Sequence, residues 1–215
     1  MIALEAKGIL SLYKNLSLLS RFHIYIRLRR LPFEVIEKYV PKKGKILDFG
    51  CGHGFFSLHM SQKSKDRTVI GVDISKEKID IASESIHGKN VSFKCSPKAT
   101  YFLQKKFCYN AIVIIDVLYL IARKDQQNLL QKASEALVEN GKLLIVEPDA
   151  SLKLRTFFAI ARESIMIKLL RLTKGRSLTF NTQKWWIKNL KKYFKKVEYA
   201  KFTTKKHHIL YICSN

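Results

Sequence analysis

The sequence predicts an α/β fold: a seven-stranded, mostly parallel sheet with helices on both faces, an antiparallel C-terminal hairpin and an N-terminal helical cap. Three observations carry that reading. From Ile46 to Glu147 short apolar runs alternate with helical patterns, as in a parallel sheet covered on both faces. The first run ends in Asp48-Phe49-Gly50-Cys51-Gly52-His53-Gly54, where glycines let a strand turn sharply into a helix and let a ligand approach the backbone. The last two apolar runs are joined only by residues 203–207, a link so short that the strands must be antiparallel neighbours.

The elements follow in order. Ile9, Leu12, Leu16, Leu19, Phe22 and Ile26 recur at steps of three and four, the spacing of one helical face. Residues 31–40 read as a second helix with Pro32 in its first turn. Strands are expected at about 45–49, 68–73, 90–95, 109–116 and 142–147. The fourth is the most apolar, and so central; the third is the most polar, which suits an edge. Between them, helices are expected from Phe55, from Ser75 as N-cap, and over 125–138 with Asn140-Gly141 as a left-handed stop. After the fifth strand the alternation breaks. Residues 151–172 are expected to form an apolar, basic helical insert, a tryptophan-bearing helix is expected over about 182–194, and the hairpin strands near 196–202 and 208–213. One domain is expected: cap over 1–43, core over 44–150, insert over 151–180, and helix plus hairpin over 181–215.

Asp73 stands nineteen residues after Gly54, at the end of the second apolar run. An acid there can accept from the two hydroxyls of a ribose, so the pair of features reads as a nucleoside site. Composition adds a partner class. Forty Lys and Arg against seventeen Asp and Glu give a net charge of +23, which attracts polyanions such as nucleic acid or an anionic membrane face. The same balance arises where an organism favours Lys and Ile throughout its proteins. Four cysteines are scattered without metal-ligand spacing, so neither zinc nor a disulfide framework is implied. No signal peptide and no uncharged membrane-crossing run is read. The expected location is cytoplasmic, peripheral to the inner face of the membrane.

The glycine turn, Asp73, the five parallel strands and the closing hairpin together resemble the class I S-adenosylmethionine-dependent methyltransferases, with their Rossmann-like sheet, over about residues 44–213. A nicotinamide dehydrogenase would carry its third glycine where Phe55 stands. The resemblance implies S-adenosylmethionine as cofactor. It places Gly50, Cys51, Gly52 and Gly54 under the methionine portion, with Asp48 nearby for its ammonium group. Asp73 holds the ribose hydroxyls and Ile74 packs on the adenine. Ser96, or a main-chain carbonyl, stands where the family often has an adenine-reading acid. Asp116 and Tyr119 line the reactive end. No metal is implied, and no catalytic residue is named. Cys51 reads as a small packing residue, and His207 and His208 as surface residues among lysines.

The acceptor is argued from outside the shared core. The family's nucleic-acid amino methyltransferases carry an Asn/Asp-Pro-Pro-aromatic run where this chain has Asp116-Val117-Leu118-Tyr119. Its cytosine C5 enzymes use a Pro-Cys nucleophile that is absent here. Residues 9–31 and 151–176 join Leu, Ile and Phe to Arg and Lys, as do helices lying in an anionic membrane interface. The expected substrate is a small lipophilic or lipid-linked molecule, with Tyr13, His23 and Glu147 as candidates to touch it; Glu147, Asp149 and Tyr119, at the carboxyl edge of the sheet, are each candidates to touch the acceptor or act as base. An RNA methyltransferase and a non-catalytic membrane- or RNA-binding scaffold are the alternatives. Arg21-Phe22-His23, the arginines to Arg30 and the run from Gly50 to Leu58 further resemble methyltransferases encoded among bacterial fatty-acid and aryl-polyene assembly genes.

Overall fold

The computed structural model of the chain describes residues 33–85, 88–151, 178–202 and 208–215. Within them the alternation of the sequence becomes one seven-stranded sheet of order β3-β2-β1-β4-β5-β7-β6. The strands are β1 (Gly44–Phe49), β2 (Arg67–Asp73), β3 (Val91–Cys95), β4 (Tyr109–Ile115), β5 (Leu137–Pro148), β6 (Lys196–Lys201) and β7 (His208–Ser214). The helices are α1 (Phe33–Glu37), α2 (Phe55–Lys63), α3 (Lys76–Glu84), α4 (Arg123–Ala136) and α5 (Gln183–Leu190). The expected cap before residue 33, most of the insert and the hairpin link lie outside the described residues. Among the described residues no helix is long and apolar enough to cross a membrane.

Strands β1 to β5 are parallel, and β7 runs antiparallel to both β5 and β6. The most apolar strand, β4, lies at the centre and the polar β3 at an edge, as their composition predicts. Strand order reverses between β1 and β4, and in open α/β sheets the crevice beyond the carboxyl ends at that point is where ligands bind. Because β7 is reversed, its first residue, His208, pairs with the last residue of β5, Pro148. The amino end of β7 therefore reaches the carboxyl edge of the parallel strands.

Side chains alternate between two cores. One face buries Ile46, Val69, Val113, Leu144 and Leu210 against Phe33, Phe56 and Met60 of α1 and α2. The other buries Leu47, Ile112, Ile114, Ile145 and Tyr211 against Leu129 and Leu130 of α4 and Trp186 and Leu190 of α5. Thr182 caps α5 by accepting from Trp185 N at 3.2 Å, the expected role of threonine before a helix.

The junction after α4 departs from the sequence reading. Helix α4 ends at Ala136 and the chain enters β5 directly at Leu137, which pairs with Tyr109. Asn140 is left-handed as expected, with φ 59°. It lies inside the strand, at an irregularity where pairing moves from Tyr109↔Leu137 to Ala111↔Lys142. Arg67 is fully enclosed at the start of β2. Its Nη2 lies 2.8 Å from Glu37 Oε1, Nε donates to Pro41 O at 2.7 Å and Nη1 to Met60 O at 2.8 Å. A buried guanidinium survives only when its donors are matched in this way, and the match fastens α1 to the sheet.

Candidate active site

The glycine turn is built by backbone freedom and by crowding. Gly50, Gly52 and Gly54 have φ of 76°, 57° and 79°, the left-handed region that side chains disfavour. A Cβ on Gly50 would lie 2.4 Å from Val117 Cγ2, and one on Gly54 would lie 2.4 Å from Phe93 Cζ. The turn crosses to β2, since Gly50 N and Cys51 N both donate to Val72 O, at 2.8 and 3.0 Å. Cys51 is half-buried beside it. Asp48, one residue before Phe49, is enclosed on the α2 side and accepts from Ser57 Oγ at 2.6 Å.

Asp73 closes β2 and ties the loop to the next helix. Its Oδ2 accepts from Gly52 N at 2.9 Å and its Oδ1 from Ser75 N at 2.8 Å. Ser75 occupies the N-cap position of α3, yet its hydroxyl makes no cap bond; Asp73 holds that turn instead. Each carboxylate oxygen can accept twice, so the same group that shapes the loop retains acceptor capacity for a diol. Ile74, 41% exposed, offers an apolar face beside it. Ser96 N donates to Asp73 O at 3.0 Å, which brings the β3 turn alongside, while its hydroxyl donates to Lys98 O at 3.1 Å. A left-handed glycine cradle, a two-oxygen acceptor and an apolar platform fit the methionine, ribose and adenine portions of S-adenosylmethionine in turn.

The carboxyl edge of β4 supplies the other wall. Asp116 is a non-glycine residue with φ 55°, and its Oδ1 lies 2.8 Å from His208 Nε2. His208 is buried, not on the surface as the neighbouring lysines suggest. Its alternation with Leu210 and Ile212, both buried, was the available signal. Glu147, a candidate for touching the acceptor, is instead enclosed under the turn after β4. It accepts from Val117 N (3.0 Å), Leu118 N (2.7 Å) and Tyr119 N (3.3 Å). Burial first, and the nearby Asp116 second, push its carboxyl up to about 8, against the opposing pull of those three amides. Asp149 is likewise engaged, accepting from Gln183 N and Ser151 N at 3.0 Å. Tyr13 and His23 lie outside the described residues.

Residues 179–181, which the sequence did not single out, close on this wall. Thr179 N donates to Tyr119 O at 2.7 Å, and Phe180 stacks on Tyr119 with ring centroids 5.0 Å apart and planes at 11°. Gln126 fixes the corner: its amide donates to Leu118 O at 2.8 Å and its carbonyl accepts from Asn181 Nδ2 at 2.8 Å. The structure thus brings Gly50, Cys51, Gly52 and Gly54 against Asp73 on one side of the switch point. Asp116 and Tyr119 stand on the other, with Val117 against the glycine turn.

Known proteins share this fold. The solved structure of an O-methyltransferase family protein from Burkholderia thailandensis superposes with a TM-score of 0.69 at 16% identity, covering 90% of this chain and 57% of that one. Human N-acetylserotonin methyltransferase, solved in complex with S-adenosylmethionine, gives 0.65 at 13% identity, covering 89% and 55%. At such identities these likenesses concern the fold. The secondary metabolism regulator laeA of Monascus pilosus is 39% identical over 54 residues, 25% of this chain and 15% of its own. The chain thus spans well under two thirds of the length of that relative. The model of a methyltransferase domain family matches residues 23–209. That span takes in the glycine turn, Asp73, the β4 edge and the start of β7, and so the chain belongs to the methyltransferase domain family, whose cofactor is S-adenosylmethionine.

Proposed function

We propose that the chain transfers the methyl group of S-adenosylmethionine to a small lipophilic or lipid-linked acceptor at the inner face of a membrane. The observation that carries the acceptor class is the Tyr119–Phe180 stack, an aromatic wall two residues beyond Val117, which lies against the glycine turn. The apolar, basic composition of residues 9–31 and 151–176 supports a membrane source for the acceptor. Human N-acetylserotonin methyltransferase is named for a small-molecule acceptor. The likeness to methyltransferases of fatty-acid and aryl-polyene assembly points the same way.

The cofactor supplies an electrophilic methyl carbon on a sulfonium, and the protein's part is alignment and exclusion of water. Gly50, Cys51, Gly52 and Gly54 floor the site, Asp48 lies on the ammonium side, Asp73 holds the ribose, and Ile74 and Ser96 flank the base. Asp116 and Tyr119 border the reacting end.

Calorimetry with S-adenosylmethionine tests the cofactor reading. Asp73→Ala removes the ribose acceptor and two loop bonds, so affinity should fall about 10-fold or more; absence of binding by the unaltered chain at millimolar cofactor refutes it. Mass spectrometry of lipid extracts from cells with and without the gene should reveal species differing by one CH₂. Co-sedimentation with anionic liposomes, against filter binding of bulk RNA, tests the membrane: tight RNA binding without liposome binding refutes the lipid assignment.

A further inference from the structure

Asp116 and His208 are brought together across 92 residues of sequence. Strand phase alone would not do it. Asp116 follows Ile112 and Ile114, which face α4 and α5, whereas His208 precedes Leu210 and Ile212 on the opposite face. The left-handed φ of 55° at Asp116 breaks the alternation and lets its carboxylate reach the imidazole. Non-glycine residues held in this region cost energy, are retained only where the surroundings determine them, and cluster at functional sites. Asp116 also immediately precedes Val117, the residue packed against the glycine turn. Its side chain is 15% exposed against 4% for His208, so Asp116, at the carboxyl edge of β4, is the more accessible member of the pair. Glu147 from β5 and His208 from β7 both face it.

We propose that Asp116 accepts the proton released by the methyl acceptor, that His208 is its positioning residue, and that the acceptor atom is therefore a hydroxyl oxygen or an amine nitrogen. This rests on the methyl-transfer reading above. A carboxylate can align an O–H or N–H by hydrogen bonding before reaction, which a C–H does not offer. In the step, a lone pair on the acceptor atom forms the bond to the methyl carbon while the carbon–sulfur bond breaks, its electrons going to sulfur. The acceptor's hydrogen, acidified as the new bond forms, passes to an Asp116 oxygen and then to solvent. His208 holds the carboxylate through its Nε2, donating when that nitrogen carries the hydrogen.

The test needs no acceptor. The chain, labelled with ¹⁵N-histidine, is titrated by NMR when saturated with S-adenosylmethionine and, separately, with S-adenosylhomocysteine, which differs by lacking the methyl group and the positive charge on sulfur. His208→Gln identifies the resonance. If the pair stands at the methyl end, the sulfonium charge lowers the His208 pKa by about half a pH unit or more relative to the homocysteine complex. Asp116→Asn should lower it by about one unit in both complexes, through loss of the facing anion. Identical titrations in the two complexes overturn the proposal while leaving cofactor binding intact, as does a His208 pKa indifferent to Asp116→Asn. Failure of calorimetry to detect either ligand overturns the methyl-transfer reading and this inference with it.

Discussion

Replacing Glu147 with glutamine isolates the energetic effect of a carboxyl enclosed beneath the β4 turn. Burial pushes that group from 4.5 to about 8, a difference of about 3.5 pH units, and at 1.36 kcal/mol per unit this corresponds to about 5 kcal/mol. The folded chain holds the proton more tightly than the unfolded chain. The stability this carboxyl contributes is therefore fully present below the unfolded pKa of about 4.5, declines as pH rises toward about 8, and is gone above it. Glu147→Gln removes this dependence. Its single carbonyl oxygen can keep the bonds from Val117 N and Leu118 N, and loses the longest, from Tyr119 N, a pH-independent cost of about 1 kcal/mol. Urea unfolding followed by the fluorescence of Trp185 and Trp186 measures both chains across roughly pH 5 to 9. The stability of the variant minus that of the parent should climb by about 1.4 kcal/mol per pH unit until about pH 8. A difference that stays flat across that window would refute the reasoning, because every other titrating group is common to both chains.

Three further outcomes are expected. Gly50→Ala forces a Cβ to 2.4 Å from Val117 Cγ2 at a φ of 76°, and should cost about 1–3 kcal/mol in unfolding and weaken cofactor binding measured by calorimetry. Arg67→Met leaves the buried Glu37 carboxylate with only the exposed Lys42 ammonium, at 3.3 Å, and should cost about 2–4 kcal/mol, whereas Arg67→Met with Glu37→Leu should recover at least half in thermal melts. Tyr119→Ala removes the partner of Phe180 and should lower methylated product in lipid extracts about 10-fold, with cofactor affinity changed less than 3-fold.

The parts of the fold that could be read from the sequence are those fixed by neighbours in the chain. The glycine turn, its following helix, Asp73 and the hairpin are local patterns, and their spacing carries their geometry. Asn140 marks the limit of such reading. A left-handed asparagine before glycine suits a helix stop, and the same conformation serves equally as an irregularity inside a strand; only the pairing of Leu137 with Tyr109 decides between them. Arg67 and His208 were opaque for a different reason. Charged and titratable residues are ordinarily solvated, and what buries these two is a set of partners 7 to 30 residues away for Arg67 and 92 away for His208. Glu147 was correctly placed at the carboxyl edge. Its direction was not legible, because three amides of another strand's turn claim it.

The contact between Gly50 and Val117 leaves no room for even a methyl group between two loops that serve different tasks. On the proposed reading, one loop floors the cofactor and the other leads into the wall that meets the acceptor. A larger side chain at 117 would press on the glycine turn, and a side chain at 50 would displace the segment that carries Asp116 and Tyr119. On that reading, cofactor affinity and acceptor choice are thus coupled at this one boundary. A change in substrate preference arising at that boundary would bring a change in cofactor binding with it, and variants that retain both must alter the two loops as a pair.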